Sequence, residues 1–196
     1  MNCPDRTLKG ATIRDVMLRT AVLAVAASLL AVPASAATDD LPIRQTDPSG
    51  DVTVFDGGGT KPTTGQRKTI DLTRFAVTRR GDGLTFTFTI ARIAAGRTFD
   101  QVVEAQFRKR GARGFLLDVL ANPQHKNGSA FSGGSLCVTD VRTSKRTGTV
   151  RVDVPGRCIP GGVGVLRVST YLQEKNGSGP GFSEDTLRVP GRVALR

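Results

Sequence analysis

Few side chains in this sequence are equipped for chemistry. The 196 residues contain one His, three Cys and no Trp. Any Ser-His-Asp or Cys-His arrangement would have to use His125. It lies in Asn122-Pro-Gln-His-Lys-Asn-Gly-Ser129, a polar stretch that reads as a solvated loop rather than a catalytic cleft. No nucleophile elbow, phosphate-binding Gly loop, dinucleotide fingerprint, H-E-x-x-H or C-x-x-C motif occurs. A lone imidazole also excludes a His-rich zinc centre. No residue is therefore assigned a catalytic role, and the pattern points away from an enzyme. A hydrolase with a cryptic polar site is kept as an alternative.

Three carboxylates stand close in sequence. Asp47, Asp51 and Asp56 flank a short alternating segment, Asp51-Val-Thr-Val-Phe55. Calcium takes carboxylate and carbonyl oxygens gathered at one bend, so these three are candidate ligands, and calcium is the one cofactor considered. Their spacing is not that of an EF-hand. Asp and Gly also favour turns, which explains Asp47-Pro-Ser-Gly50 without any ion.

The most unusual feature is charge. Lys and Arg number 28 against 17 Asp and Glu. Several basic residues fall in predicted hairpin turns: Arg79-Arg80, the group Arg108, Lys109, Arg110 and Arg113, and Lys145-Arg146. These eight are candidate contacts for an anionic partner such as a phosphate-rich wall polymer or a lipid headgroup. Nucleic acid is disfavoured because aromatic side chains do not interleave with the Arg residues. Acidic residues are interspersed throughout, as on an ordinary solubilising surface.

These side chains need elements to hold them. Ile70–Arg80 and Leu84–Ile93 predict a hairpin turning at Arg80-Gly-Asp-Gly83. Leu84, Phe86, Phe88 and Ile90 alternate with Thr85, Thr87 and Thr89, the period of a strand with one face in the core. Phe99–Arg108 and Phe115–Leu120 form a second pair, with a helix over 99–108 as the rival reading. Residues 122–134 read as a long loop and 56–65 as a Gly-rich one. Further strands are expected over 137–142, 149–154, 163–172 and 182–189. About eight or nine short strands with Gly-rich turns predict an all-β, antiparallel β-sandwich of jelly-roll or Ig-like type.

Residues 17–36, MLRTAVLAVAASLLAVPASA, read as an export signal with cleavage after Ala36. Its apolar run of twelve residues, Ala21–Val32, is short of the about 20 that cross a membrane. Asp5 and Asp15 sit poorly in a signal's positive leader, which makes Met17 the expected start. The expected organisation is a signal peptide over 1–36, a single domain over 37–196, secretion, and no membrane span once the signal is gone. Four basic and two acidic residues would leave with the signal, so the remaining 160 residues carry 24 against 15 and a net charge of +9. Cys3 would leave too. Cys137 and Cys158 then remain as an even pair in an exported chain, which predicts a disulfide. Placed at the open end of a hairpin, that bridge predicts Val141 opposite Val154, Thr143 opposite Val152 and Arg142 opposite Asp153.

The run DPSGDVTVFDGGG…IDLTRFAVTRRGDGLTFTFTIARI (47–93) resembles the opening of secreted carbohydrate-binding and DOMON-like jelly-roll modules. Val150-Arg-Val-Asp-Val-Pro155, Arg157-Cys158 and Val165-Leu-Arg-Val168 are similar to small exported β-sandwich proteins, of unknown function, in high-GC Gram-positive bacteria. The resemblance implies a non-catalytic module that binds a glycan or wall polymer. With no Trp and only Tyr171, stacking platforms for sugar rings are nearly absent, leaving Phe and polar contacts for that task. A secreted protein partner, met through an edge strand, is the alternative.

Overall fold

Alternating apolar residues dictate most of what forms. The computed structural model describes residues 38–39, 41–55, 62–94, 98–111, 114–175 and 183–196, all within the unit Ser35–Arg196. The predicted export signal over 1–36 lies outside the described residues. The described residues form thirteen strands: β1 (Thr38–Asp39), β2 (Ile43–Thr46), β3 (Thr53–Val54), β4 (Leu72–Arg80), β5 (Gly83–Ile90), β6 (Phe99–Arg108), β7 (Phe115–Leu120), β8 (Asn127–Ser132), β9 (Ser135–Ser144), β10 (Thr149–Val154), β11 (Val163–Glu174), β12 (Ser183–Arg188) and β13 (Arg192–Ala194). Among the described residues helical structure is confined to α1 (Thr64–Arg67) and single 3₁₀ turns at Lys68–Ile70 and Gly156–Cys158. Thr63 caps α1 with a reciprocal Thr–Gln66 capping box, so the helix begins inside the end of the Gly-rich loop expected over 56–65. Among the described residues no helix is long and apolar enough to cross a membrane.

The strands are mostly antiparallel and hydrogen-bond into one continuous sheet, ordered β1-β13-β11-β6-β7-β8-β9-β10-β5-β4-β2. β12 lies beside β11 and carries β3 on its far side. The eleven strands of the main path curl into a half-barrel. The all-β, antiparallel class expected from the sequence is thus present, while the strands are more numerous than eight or nine and share one bonded sheet.

The curl explains the core. Leu84, Phe86, Phe88 and Ile90 face inward, as their spacing predicts, and all are buried. Phe86 of β5 stacks on Phe115 of β7 with centroids 5.8 Å apart, although three strands separate them in the sheet. Phe75 lies 5.2 Å from Phe88 on the neighbouring strand. Each buried ring contributes about 1.5–3 kcal/mol from lost water contact alone. Residues 99–108 are a strand, not a helix: their inward set Val103, Ala105 and Phe107 follows a period of two.

Two expectations need correction. The stretch 122–134 contains β8, which pairs with both β7 and β9. Its sequence, Asn-Gly-Ser-Ala-Phe-Ser, carries little strand propensity. Gly128 is there for close approach, since a Cβ would sit 2.6 Å from Val119 Cγ2. The register of β9 against β10 also differs. Val141 faces Val152, Thr143 faces Val150 and Arg142 faces Arg151. Cys158 lies beyond the end of β10, in the 3₁₀ turn, so counting back from it along a strand displaces every pair by two. The Cys137–Cys158 disulfide itself is formed.

Candidate functional site

Hairpin parity decides which turns share an end of the sheet. Arg80 pairs with Gly83, Phe107 with Phe115 and Ser132 with Ser135, so the β4–β5, β6–β7 and β8–β9 turns lie at one end. Ser144 pairs with Thr149 at the other. Arg79, Arg80, Arg108, Lys109 and Arg110 are therefore gathered at the first end, all exposed, and Arg157 joins them from the 3₁₀ turn. Lys145 and Arg146 are exposed at the opposite end. Arg113 lies outside the described residues. Of the gathered group, Arg80 is already held by an ion pair with Asp153, which also accepts a 2.6 Å bond from Thr85 Oγ1.

The same end carries apolar surface. On the outer face Gln106, Leu116, Phe131 and Leu136 stand opposite one another across β6–β9, with Val138 next along β9. Leu136 and Val138 are 61% and 64% exposed and Phe131 is 43% exposed. Val165 of β11 stands opposite Arg108 and is exposed as well. A shallow groove of about 400 Å³, lined by Gln106, Arg108, Lys109, Gly114, Phe115 and Leu116, joins the basic turn to this apolar row. The sequence hides this apolar row because the weak strand propensity of β8 reads as loop.

One step further along the outer face is an acidic row. Glu104 of β6 stands directly opposite Asp118 of β7, and Tyr171 Oη donates to Asp118 Oδ2 at 3.3 Å. Burial raises the Glu104 carboxyl above its usual range, helped by Asp118 and Glu184 and opposed by Arg167 and Arg108. Burial likewise raises Asp118, against the pull of the Tyr171 hydroxyl. Arg167 Nη2 meets Glu184 Oε1 at 3.0 Å and completes the row.

A second acidic group sits where the start of β4 meets β12. Ligand oxygens of Asp47, Asp51 and Asp185 lie within 4.8 Å of one another. Leu72 N–H donates to Asp185 Oδ2 at 2.6 Å, and Thr170 Oγ1 donates to the Ile70 carbonyl, so the segment 70–72 is tied to β11 and β12. Asp71 Oδ2 accepts from Ser49 Oγ at 3.0 Å and from Gly50 N–H at 2.8 Å, which pins the turn between Asp47 and Asp51. Asp47 and Asp185 are both pushed up to about 6, first by burial and then, in part, by neighbouring carboxylates. Two of the three predicted calcium ligands thus meet. Asp56 lies outside the described residues. Asp185 was invisible as a partner because it is 134 residues further along than Asp51, and no local spacing encodes that.

His125 is exposed in the β7–β8 connection, its N–H bonded to the Asn122 carbonyl. Comparison with protein-family models, with curated proteins and with solved structures gives no match.

Proposed function

We propose that this chain is an exported, non-catalytic binding module for an anionic component of the cell envelope, docking through the end that carries the β4–β5 and β6–β7 turns. The ligand chemistry is a phosphodiester anion, presented by a wall polymer or by a lipid headgroup. One observation carries the reading: Arg79, Arg108, Lys109, Arg110 and Arg157 share one end of the sheet beside an exposed apolar row. Clustered cations raise the local concentration of an anion and speed its encounter. Cations beside exposed Phe, Leu and Val are the combination that suits a membrane interface.

The test is retention of the full chain on a soluble glycerol-phosphate polymer, on anionic phospholipid vesicles and on neutral glycans, at about 50 and 300 mM salt. Those concentrations bracket the range over which screening tightens from roughly 14 to 6 Å. The expected result is binding to at least one phosphodiester ligand, weakened at least about tenfold by the higher salt. The triple change Arg108→Gln, Lys109→Gln, Arg110→Gln abolishes it, and Lys145→Gln with Arg146→Gln leaves it intact. Retention by neutral glycans alone would return the reading to the carbohydrate module implied by the sequence resemblance. Binding that ignores both salt and the triple change would refute the basic end as the docking site.

A further inference from the structure

We propose that Asp47, Asp51 and Asp185, with the buried Asp71 against the turn that carries the first two, form a calcium site that fastens the β2–β4 edge of the sheet to β12. The first three offer oxygens within 4.8 Å of one another. Oxygens on opposite sides of a calcium ion are separated by about twice the 2.3–2.6 Å bond, so that spread fits one coordination sphere.

A carboxylate cluster alone would not suffice, because exposed acids gather without ions. The separate observation is Asp71. It is 4% exposed, and its Oδ1 is closed to solvent and has no hydrogen-bond partner among the described residues. Its other oxygen is used up by Ser49 and Gly50, inside the very turn that carries Asp47 and Asp51. Its charge acts on Asp47 and on Asp185. A buried carboxylate oxygen without a partner is costly and calls for a proton or a cation. Asp47 Oδ2 is in the same condition. Among the described residues the charges acting on Asp47 are those of Asp185, Asp51 and Asp71, with no basic side chain among them. Hard oxygen ligands and high negative charge select calcium over the softer transition metals.

The ion would join parts of the chain far apart in sequence. Asp47 and Asp51 follow β2, Asp71 precedes β4 and Asp185 lies in β12. The Leu72–Asp185 and Thr170–Ile70 hydrogen bonds already tie 70–72 to β12 and β11. Calcium binds the folded state and not the unfolded one, so it raises the melting temperature with concentration.

Thermal melting of the full chain, in chelator and in calcium from about 10 μM to 10 mM, tests this, with isothermal calorimetry as the direct measure. The expected result is a rise of at least about 3 °C by 1 mM calcium, a concentration at which extracellular modules are typically loaded. Magnesium at the same concentration gives less than half of it. Asp51→Asn, an exposed position that the fold tolerates, moves the midpoint at least tenfold higher and leaves the melting point in chelator unchanged or raised. Asp71→Asn, which keeps an acceptor for Ser49 and Gly50, does the same. Absence of a calcium-dependent shift and of binding heat overturns the site. An equal response to magnesium, or a response that survives in both variants, overturns it too, since either means diffuse screening.

Discussion

Two groups of carboxylates lie within this one sheet, and they are handled in opposite ways. In the outer-face row, Glu104 and Asp118 are raised by burial, but Arg167 and Arg108 act against the rise on Glu104 and the Tyr171 hydroxyl bonds Asp118. The row is close to self-sufficient. At the junction with β12, the charges of three other carboxylates act on Asp47, and buried oxygens of Asp47 and Asp71 have no partner among the described residues. Raised carboxyls alone therefore do not mark a ligand site. The junction differs in that the described side chains leave its charge uncompensated around the buried Asp71.

The largest effect that can break the comparison is at Asp185. In chelator, Asp185→Ala leaves the buried Leu72 N–H without its acceptor, whereas Asp185→Asn keeps an acceptor and removes the charge. The alanine chain should be less stable than the asparagine chain by about 1–3 kcal/mol in urea unfolding. Equal stability of the two would mean that the Leu72 bond does not tie the edge to β12.

A smaller effect separates the outer row by pH. Glu104 and Asp118 have folded-state pKa values above 4.5 and 3.8, so the folded state holds protons that the unfolded state has lost. The row therefore costs stability at neutral pH, and the cost is relieved as pH falls toward those ordinary values. Asp118→Asn removes one of two facing like charges and should stabilise at pH 7 by about 0.2–1 kcal/mol. The gain should shrink steadily toward pH 4, as read by melting temperature. A gain that grows on acidification would reverse the assigned direction of both shifts.

Reading such sites from sequence has a physical limit, and this chain shows where it falls. The hairpin β4–β5 was legible because Leu84, Phe86, Phe88 and Ile90 obey a local period and Arg80-Gly-Asp-Gly83 is local turn chemistry. The Cys137–Cys158 bridge was legible because only one pairing existed once Cys3 was set aside. β8 was not, since Gly128 earns its place by what packs against it rather than by propensity. The β9–β10 register failed for a related reason: a disulfide fixes a distance, not a strand pairing, and Cys158 had already left the strand. Half of the acidic junction was legible in the Asp47–Asp51 turn. Asp71, just before β4, and Asp185, in β12, have neighbours that depend on how the whole sheet curls, and that is a property of all the pairings together. The apolar row Leu116, Phe131 and Leu136 was hidden by the same missing strand.

The smallest effect tests why the two acidic groups differ. Arg167 is half exposed and pairs with Glu184 at 3.0 Å and Thr186 Oγ1 at 3.2 Å. Exposed pairs of this kind are worth about 0–1 kcal/mol, so Arg167→Gln should lower stability by no more than that, and less in high salt. Its value lies in what it does to the row. It removes one of the two cations that hold Glu104 down, so Glu104→Gln should stabilise the Arg167→Gln chain more than it stabilises the parent. Calcium then discriminates between two causes. Uncompensated charge is one, and a turn that pins a buried carboxylate oxygen against a neighbouring strand is the other. The row has no such turn, because Glu104 and Asp118 stand opposite each other on regular strands. If the turn matters, Arg167→Gln protein lacking Asp51 by Asp51→Asn gains no calcium response in melting. A response there would mean that loss of a counter-charge is enough, and that the built geometry around Asp71 is incidental to holding the ion.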